Sequence, residues 1–258
     1  MLRPLSALAA GLLLAACERG FLPLGGRFDI GRDPMVIFVG GDAPAGGDLY
    51  ALQADGGGAI PITFSVVGEM RPALSPDGGQ VAFLRGGSLT DSLPASVWVL
   101  NLLNGAERQV GVPLQGGRPE QVGWSGDGGT LVVRTAAGLY RAPAPPAEGP
   151  ARPVPRAEAA AAESTLAVLL GRPAFARVVP CETPDALCVV GDSGPPAVLA
   201  ERARDAARWG DDSVAYLTDD RLVVRPVGPG RPRVIAWGLV PPRPRQLTVF
   251  PGGASAPR

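Results

Sequence analysis

From residue 35 onward, short apolar runs alternate with clusters of Gly, Pro, Asp, Asn and Ser. Met35-Val36-Ile37-Phe38-Val39, Asp48-Leu49-Tyr50-Ala51-Leu52, Gln80-Val81-Ala82-Phe83-Leu84 and Thr130-Leu131-Val132-Val133-Arg134 have strand length and strand composition, and each predicts a β-strand. From Val97 to Leu102 the pattern alternates, with Val97, Val99 and Asn101 on one face and Trp98, Leu100 and Leu102 on the other. Asn104-Gly105 then supplies a hairpin signal, because both residues tolerate the positive φ of a tight reversal. Late in the chain Val214–Leu217, Leu222–Val227 and Arg233–Ile235 read as strands, and Arg245–Phe250 reads as a last one.

These runs recur in units. Ser75-Pro76-Asp77-Gly78-Gly79 and Ser125-Gly126-Asp127-Gly128-Gly129 each follow an apolar entry and precede a strand. Asp suits such turns by accepting backbone hydrogen bonds, and Gly supplies the left-handed backbone. A first unit spans 35–63 around Asp55-Gly56-Gly57-Gly58, and another spans 206–236 around Trp209-Gly210-Asp211-Asp212 and Asp219-Asp220.

The stretch LSPDGGQVAFLR, followed by SVWVLNLLNGAERQV, resembles the repeat of TolB-type β-propellers. In that family a Ser-Pro-Asp-Gly turn joins two strands of a blade and a later Asp- or Asn-Gly turn joins the next two. DLYALQADGGGAIPIT is similar to the second half of such a blade. The resemblance is good at 71–111, fair at 35–63, 120–142 and 206–236, and weak at 164–205. It implies an all-β fold over 35–258, a β-propeller of four-stranded blades that bury their faces against one another. The family implies six blades. Four units are visible and a fifth fits 164–205, so five blades or an incomplete ring stay open. Arg245–Phe250 is expected to complete the ring with the amino-terminal segment. Strand repeats begin too early for the family's separate amino-terminal α/β domain, so a TolB role in the Tol–Pal system is not expected.

The Pro/Ala-rich stretch 143–163 interrupts the repeats. It reads as an extended insertion between blades with a turn or two of helix at most, and the alternative is a protruding interaction loop.

The amino terminus has a different pattern. Arg3 precedes an apolar run from Leu5 to Ala16, too short for a bilayer span and suited to a signal-peptide core. Leu14-Ala15-Ala16-Cys17 resembles the lipobox of bacterial lipoproteins. The resemblance implies a signal peptide at 1–16, removed before Cys17, and diacylation with palmitate-like chains on that cysteine. Several chains anchor firmly, since each buried methylene contributes about 0.8 kcal/mol. Glu18 rather than Asp follows Cys17, which by the enterobacterial sorting pattern points to the outer membrane, with the body facing the periplasm. Residues 17–34 read as a lipidated tether with a few anchoring apolar residues.

Composition narrows the chemistry. Twenty-four basic residues balance 24 acidic ones, so no nucleic-acid partner is expected. Every basic residue is arginine, and histidine is absent. Ser-His-Asp and Cys-His centres are therefore impossible, as is a lysine Schiff base, while cation sites built from oxygen ligands remain open. With Cys17 lipidated, Cys181 and Cys188 remain, and an exported pair fits a disulfide. Thr183-Pro184-Asp185 between them matches the Ser-Pro-Asp turns, which sets the cysteines on adjacent strands of a hairpin. Asp77, Asp127, Asp211-Asp212 and Asp219-Asp220 read as turn chemistry, and Trp98, Trp124, Trp209 and Trp237 as blade packing. No catalytic, cofactor or metal residue is singled out. The expectation is a membrane-anchored, non-enzymatic scaffold binding an envelope protein or a ligand. The alternatives are a carboxylate enzyme, with or without a divalent cation, acting on polysaccharide or peptide, and a sugar or small-ligand binder.

Overall fold

The computed structural model describes Leu24 and residues 27–41, 47–54, 56–86, 95–112, 117–166, 177–190, 195–210, 212–237 and 244–252. Cys17 and the leader, together with Asp211, lie outside them.

The strands, in chain order, group into five antiparallel sheets. The first contains β1 (Met35–Gly40), β2 (Asp48–Gln53) and β3 (Ile60–Pro61). The second contains β4 (Glu69–Leu74), β5 (Gln80–Arg85), β6 (Ser96–Asn101) and β7 (Glu107–Val110). The third contains β8 (Pro119–Trp124), β9 (Thr130–Thr135), β10 (Gly138–Pro143) and β11 (Arg152–Pro153). Helix α1 (Ala159–Leu166) follows. The fourth sheet holds β12 (Arg177–Pro180), β13 (Leu187–Val190) and β14 (Ala197–Ala200). The fifth holds β15 (Arg204–Trp209), β16 (Ser213–Leu217), β17 (Arg221–Pro226) and β18 (Arg233–Trp237). The last strand, β19 (Arg245–Phe250), returns to the first sheet, whose order is β19-β1-β2-β3.

This is a β-propeller, in which the last strand β19 pairs with the first strand β1. Met35 faces Phe250 and Ile37 faces Thr248 across the β1–β19 ladder. Five blades stand among the described residues. The expected terminal strand at Arg245–Phe250 is present and supplies the innermost strand of blade one.

Blade packing explains why the second strands read as nearly unbroken apolar runs. Each is buried on both faces, so alternate side chains enter different interfaces. In β1, Met35, Ile37 and Val39 join the core between blades one and two, with Val81, Phe83 and Leu100. Val36 and Phe38 join the core between blades one and five, with Ala207, Ala215 and Leu217. In β5, Val81 and Phe83 face blade one while Ala82 and Leu84 meet Trp124, Leu131 and Val133 of blade three. In β16, Val214 and Tyr216 face Val178, Leu187 and Leu199 of blade four. Solvation of either face would expose large side chains such as Phe38 and Phe83, both fully buried.

The third blade breaks this scheme. Val132 of β9 packs against Ala162 and Leu166 of α1, so a helix covers the face that other blades present to a neighbour. Within 143–163 the chain forms a short outer strand and begins a helix. The first part of this stretch supplies the turn and outer strand β11, and its last part begins α1. Its alanines favour helix, and burial of Ala162 and Leu166 against the blade stabilises a helix too short to persist alone.

The two Ser-containing turns are superimposable in their bonding. Ser75 Oγ donates to Asp77 Oδ1 at 2.5 Å and accepts from Gln80 N at 2.9 Å, while Gly79 N donates to Asp77 Oδ1 at 3.0 Å. Ser125, Asp127, Gly129 and Thr130 repeat the set at 2.5, 3.0 and 3.0 Å. The hydroxyl beside each carboxylate holds Asp77 and Asp127 below the ordinary carboxylate range. Gly78 and Gly128 take φ of 69° and 72°.

The fourth sheet forms a hairpin around Thr183-Pro184-Asp185. Thr183-Pro184-Asp185 lies in the β12–β13 turn, but at the opposite end of the ring from the Ser75 and Ser125 turns. Those turns follow the ends of inner strands β4 and β8. Asp185 instead sits against the start of β15, where its carbonyl accepts from Ala203 N at 2.6 Å. Only residues 201–203 separate β14 from β15, as the outer strand of one blade leads to the inner strand of the next. Turn residues alone do not reveal which end of a blade they cap.

Candidate functional site

Inner strands β4, β8, β15 and β19 stand side by side around a central channel of about 500 Å³. Their starts share one end, since Arg71 N donates to Gln246 Oε1 at 2.8 Å. Their ends share the other, where a Cβ on Gly78 would come within 2.8 Å of the Phe250 ring. We call these the upper and lower ends. Leu74, Trp124, Leu247 and Phe250 give the channel an apolar wall, and Thr165 and Leu166 of α1 complete it beside Pro180 and Leu187.

Each inner strand carries a β-bulge near its start. The register shifts between Met70 and Ala73, between Pro119 and Gln121, between Arg204 and Ala206, and opposite Ile37–Val39 in β19. At three of the four, a non-glycine residue takes the left-handed region, with φ of 56° at Arg71, 44° at Asp205 and 54° at Gln246. Such conformations cost on the order of 1–3 kcal/mol each and persist where surrounding structure holds them. A bulge also re-aims its side chain. Here it sets Arg71, Asp205 and Gln246 around the upper mouth of the channel.

The wall beneath is tied down by side chains. Leu74 N donates to Thr248 Oγ1 at 3.2 Å, and Trp124 Nε1 donates to the Ala73 carbonyl at 2.8 Å. Gln121 donates to the Leu166 carbonyl and accepts from Arg134 at 3.1 Å, which fastens the end of α1 to β8. The channel is therefore a preformed cavity with a polar upper rim.

A second cluster lies between blades one and two. Glu69 is fully buried. Arg85 donates to its Oε1 through Nε at 2.9 Å and Nη2 at 2.6 Å, and reaches Glu107 through Nη1 at 2.7 Å. The guanidinium also lies 4.5 Å from the centre of the Trp98 ring. Thr63 Oγ1 donates to Glu69 Oε2 and accepts from Leu49 N at 2.8 Å. Burial pushes the Glu69 carboxyl up to about 7, against the lowering effects of Thr63 and Arg85. The cluster clamps the linker between two blades, and nothing in the spacing of Glu69 and Arg85 announced it.

Cys181 and Cys188 are bonded, with Cα atoms 5.1 Å apart. Trp124 faces the channel and packs between blades two and three, Trp209 packs between blades one and five, and Trp98 lies under Arg85. Asp212 accepts from Ser213, Asp219 pairs with Arg204 and Asp220 with Arg221. Among the described residues one carboxylate, Asp205, lines the channel, and no three His, Cys, Asp or Glu converge as metal ligands. No helix among the described residues is long and apolar enough to cross a membrane. The bulge residues were missed. A faint signal exists in EMRPAL, RPEQVGW, RARDAARW and RPRQLTVF, each a polar residue a few positions before a bulky one.

No protein-family model matches the chain, and no curated protein matches it in sequence. Solved structures are similar to it at low identity. TolB from Acinetobacter baumannii aligns over 83% of this chain and 66% of its own, at 11% identity and TM-score 0.38. The β-propeller domain of the Trilobed protease from Pyrococcus furiosus aligns over 78% and 66%, at 13% identity and TM-score 0.36. AztD from Citrobacter koseri aligns over 88% and 60%, at 13% identity and TM-score 0.28. The chain spans about two thirds or less of the length of each.

Proposed function

We propose that this chain is a lipid-anchored protein of the bacterial envelope whose propeller binds a protein or ligand without transforming it. The binding surface is the upper mouth of the channel. One observation carries this reading: Arg71, Asp205 and Gln246 hold costly left-handed backbone at equivalent bulges, and all three meet at one rim. Backbone strain of this kind concentrates at functional sites, and rigid strands beneath keep the polar groups in place for recognition. The lipid anchor is supported by the apolar run ending in Leu14-Ala15-Ala16-Cys17. Envelope localisation follows from that anchor, with the outer membrane favoured by Glu18.

Two variants test the mouth. Arg71→Asn and Asp205→Asn remove charge while keeping a residue type that tolerates the left-handed region. Crosslinked capture from native envelopes is expected to recover a defined partner with the parent protein and to lose it with the double variant. Equal recovery by both would overturn the assignment of the mouth. Fatty-acid labelling of the parent and of Cys17→Ser tests the anchor, with label expected only on the parent.

A further inference from the structure

The polypeptide enters the propeller at its lower end, and this determines how an anchored molecule stands. We infer that the lower end faces the bilayer and that the mouth formed by Arg71, Asp205 and Gln246 faces away from it. The inference rests on lipidation of Cys17.

Met35 begins β1 at the lower end, paired with Phe250. Leu24 and residues 27–34, upstream of it, pack against the body. Leu24 and Phe28 are buried among Val81, Phe83 and Leu102. The Pro34 carbonyl accepts from Ala54 N at 3.0 Å, and Asp33 accepts from Gln53 at 3.4 Å. A Cβ on Gly31 would lie 3.1 Å from the Asp77 carbonyl oxygen, and one on Gly252 would lie 2.9 Å from that of Arg32. Residues 27–34 therefore run across the lower-end turns. The segment that remains between the anchor and the body is Cys17 to Leu24. Seven residues span at most about 25 Å when fully extended, so lipid on Cys17 holds the lower end close to the headgroups. The inner strands are six residues long, which sets the upper mouth about 20 Å farther out. A soluble partner thus approaches the rim of Arg71, Asp205 and Gln246 unobstructed, whereas the Ser75 and Ser125 turns are sheltered by the membrane.

The test uses the full-length lipoprotein in vesicles carrying a headgroup-labelled acceptor lipid. Donor dyes are attached at Leu103→Cys or Val66→Cys. Both positions are exposed, at 58% and 101%. Leu103 lies at the lower end, beside the turn where Leu102 N donates to the Gly79 carbonyl. Val66 lies at the upper end, in the linker that Ser65 N fixes to Asp48 at 3.1 Å. The two native cysteines of the body are bonded to each other, so each reporter is the one reactive thiol. Energy transfer from Leu103→Cys is expected to exceed that from Val66→Cys by about twofold, given a height difference near 20 Å. Equal transfer, or greater transfer from Val66→Cys, overturns the orientation while leaving the anchor intact. If the parent protein fails to float with the vesicles, or floats no better than Cys17→Ser, the anchor itself falls and the orientation with it.

Discussion

Replacing Glu69 with glutamine isolates the buried carboxyl at the junction of blades one and two. In the folded protein its carboxyl titrates at about 7, against 4.5 for the free side chain. Between these values the folded state keeps a proton that the unfolded chain has lost. Stability therefore falls as pH rises through that window. The contribution is fully present below about pH 4.5 and is lost as pH climbs through about 7. At 1.36 kcal/mol per unit, the difference is about 3 kcal/mol. Glutamine keeps the shape and still offers Arg85 an acceptor, but carries no titrating proton. Urea unfolding of the Cys17→Ser form, followed by tryptophan fluorescence at pH 5 and pH 8, measures the effect. The parent is expected to lose about 3 kcal/mol between these conditions. Glu69→Gln is expected to match it near pH 5 and to exceed it near pH 8, in line with the finding that buried ion pairs seldom outperform neutral replacements. A parent whose stability rises over this range would refute the reasoning. So would a Gln variant that retains the parent's slope.

Two further outcomes follow from local geometry. The Cys181–Cys188 bridge closes a short loop, so Cys181→Ser with Cys188→Ser is expected to lower the urea midpoint by the equivalent of about 2–3 kcal/mol, and reductant should lower the parent's midpoint to the same value. Gly78→Ala and Gly128→Ala share the left-handed penalty of about 1–2 kcal/mol. Only the first also drives a methyl into the Phe250 ring, at 2.8 Å against 3.7 Å to Pro76 for the second. Thermal unfolding should rank Gly78→Ala clearly below Gly128→Ala, and an equal effect would show that the lower channel yields more easily than its packing suggests.

Much of this architecture is local and can be read along the chain. The Ser75 and Ser125 turns bond within six residues, so their chemistry names them wherever they fold. Strands such as β1 and β5 are apolar on both faces, which announces that each is covered twice. The run Arg245–Phe250 has strand composition, and it closes the ring with β1. The two cysteines of the body flank a turn, and they are bonded.

What the sequence determined by itself, then, is everything set by contacts a few residues apart: turns, strands, the cysteine pair and the repeat that makes them blades. The tertiary structure decided the rest. Glu69 meets Arg85 because β4 pairs with β5 through a bulge, and register across a ladder is chosen by the packing of whole blades. The same bulges bring Arg71, Asp205 and Gln246 to one rim, although 175 residues separate the first from the last. Whether Ala159–Leu166 becomes a helix or a loose loop depends on the uncovered face of blade three, which lies in another part of the chain. Pairings of this kind carry no signal along the chain, because their stabilisation comes from surfaces that exist only after the ring has closed.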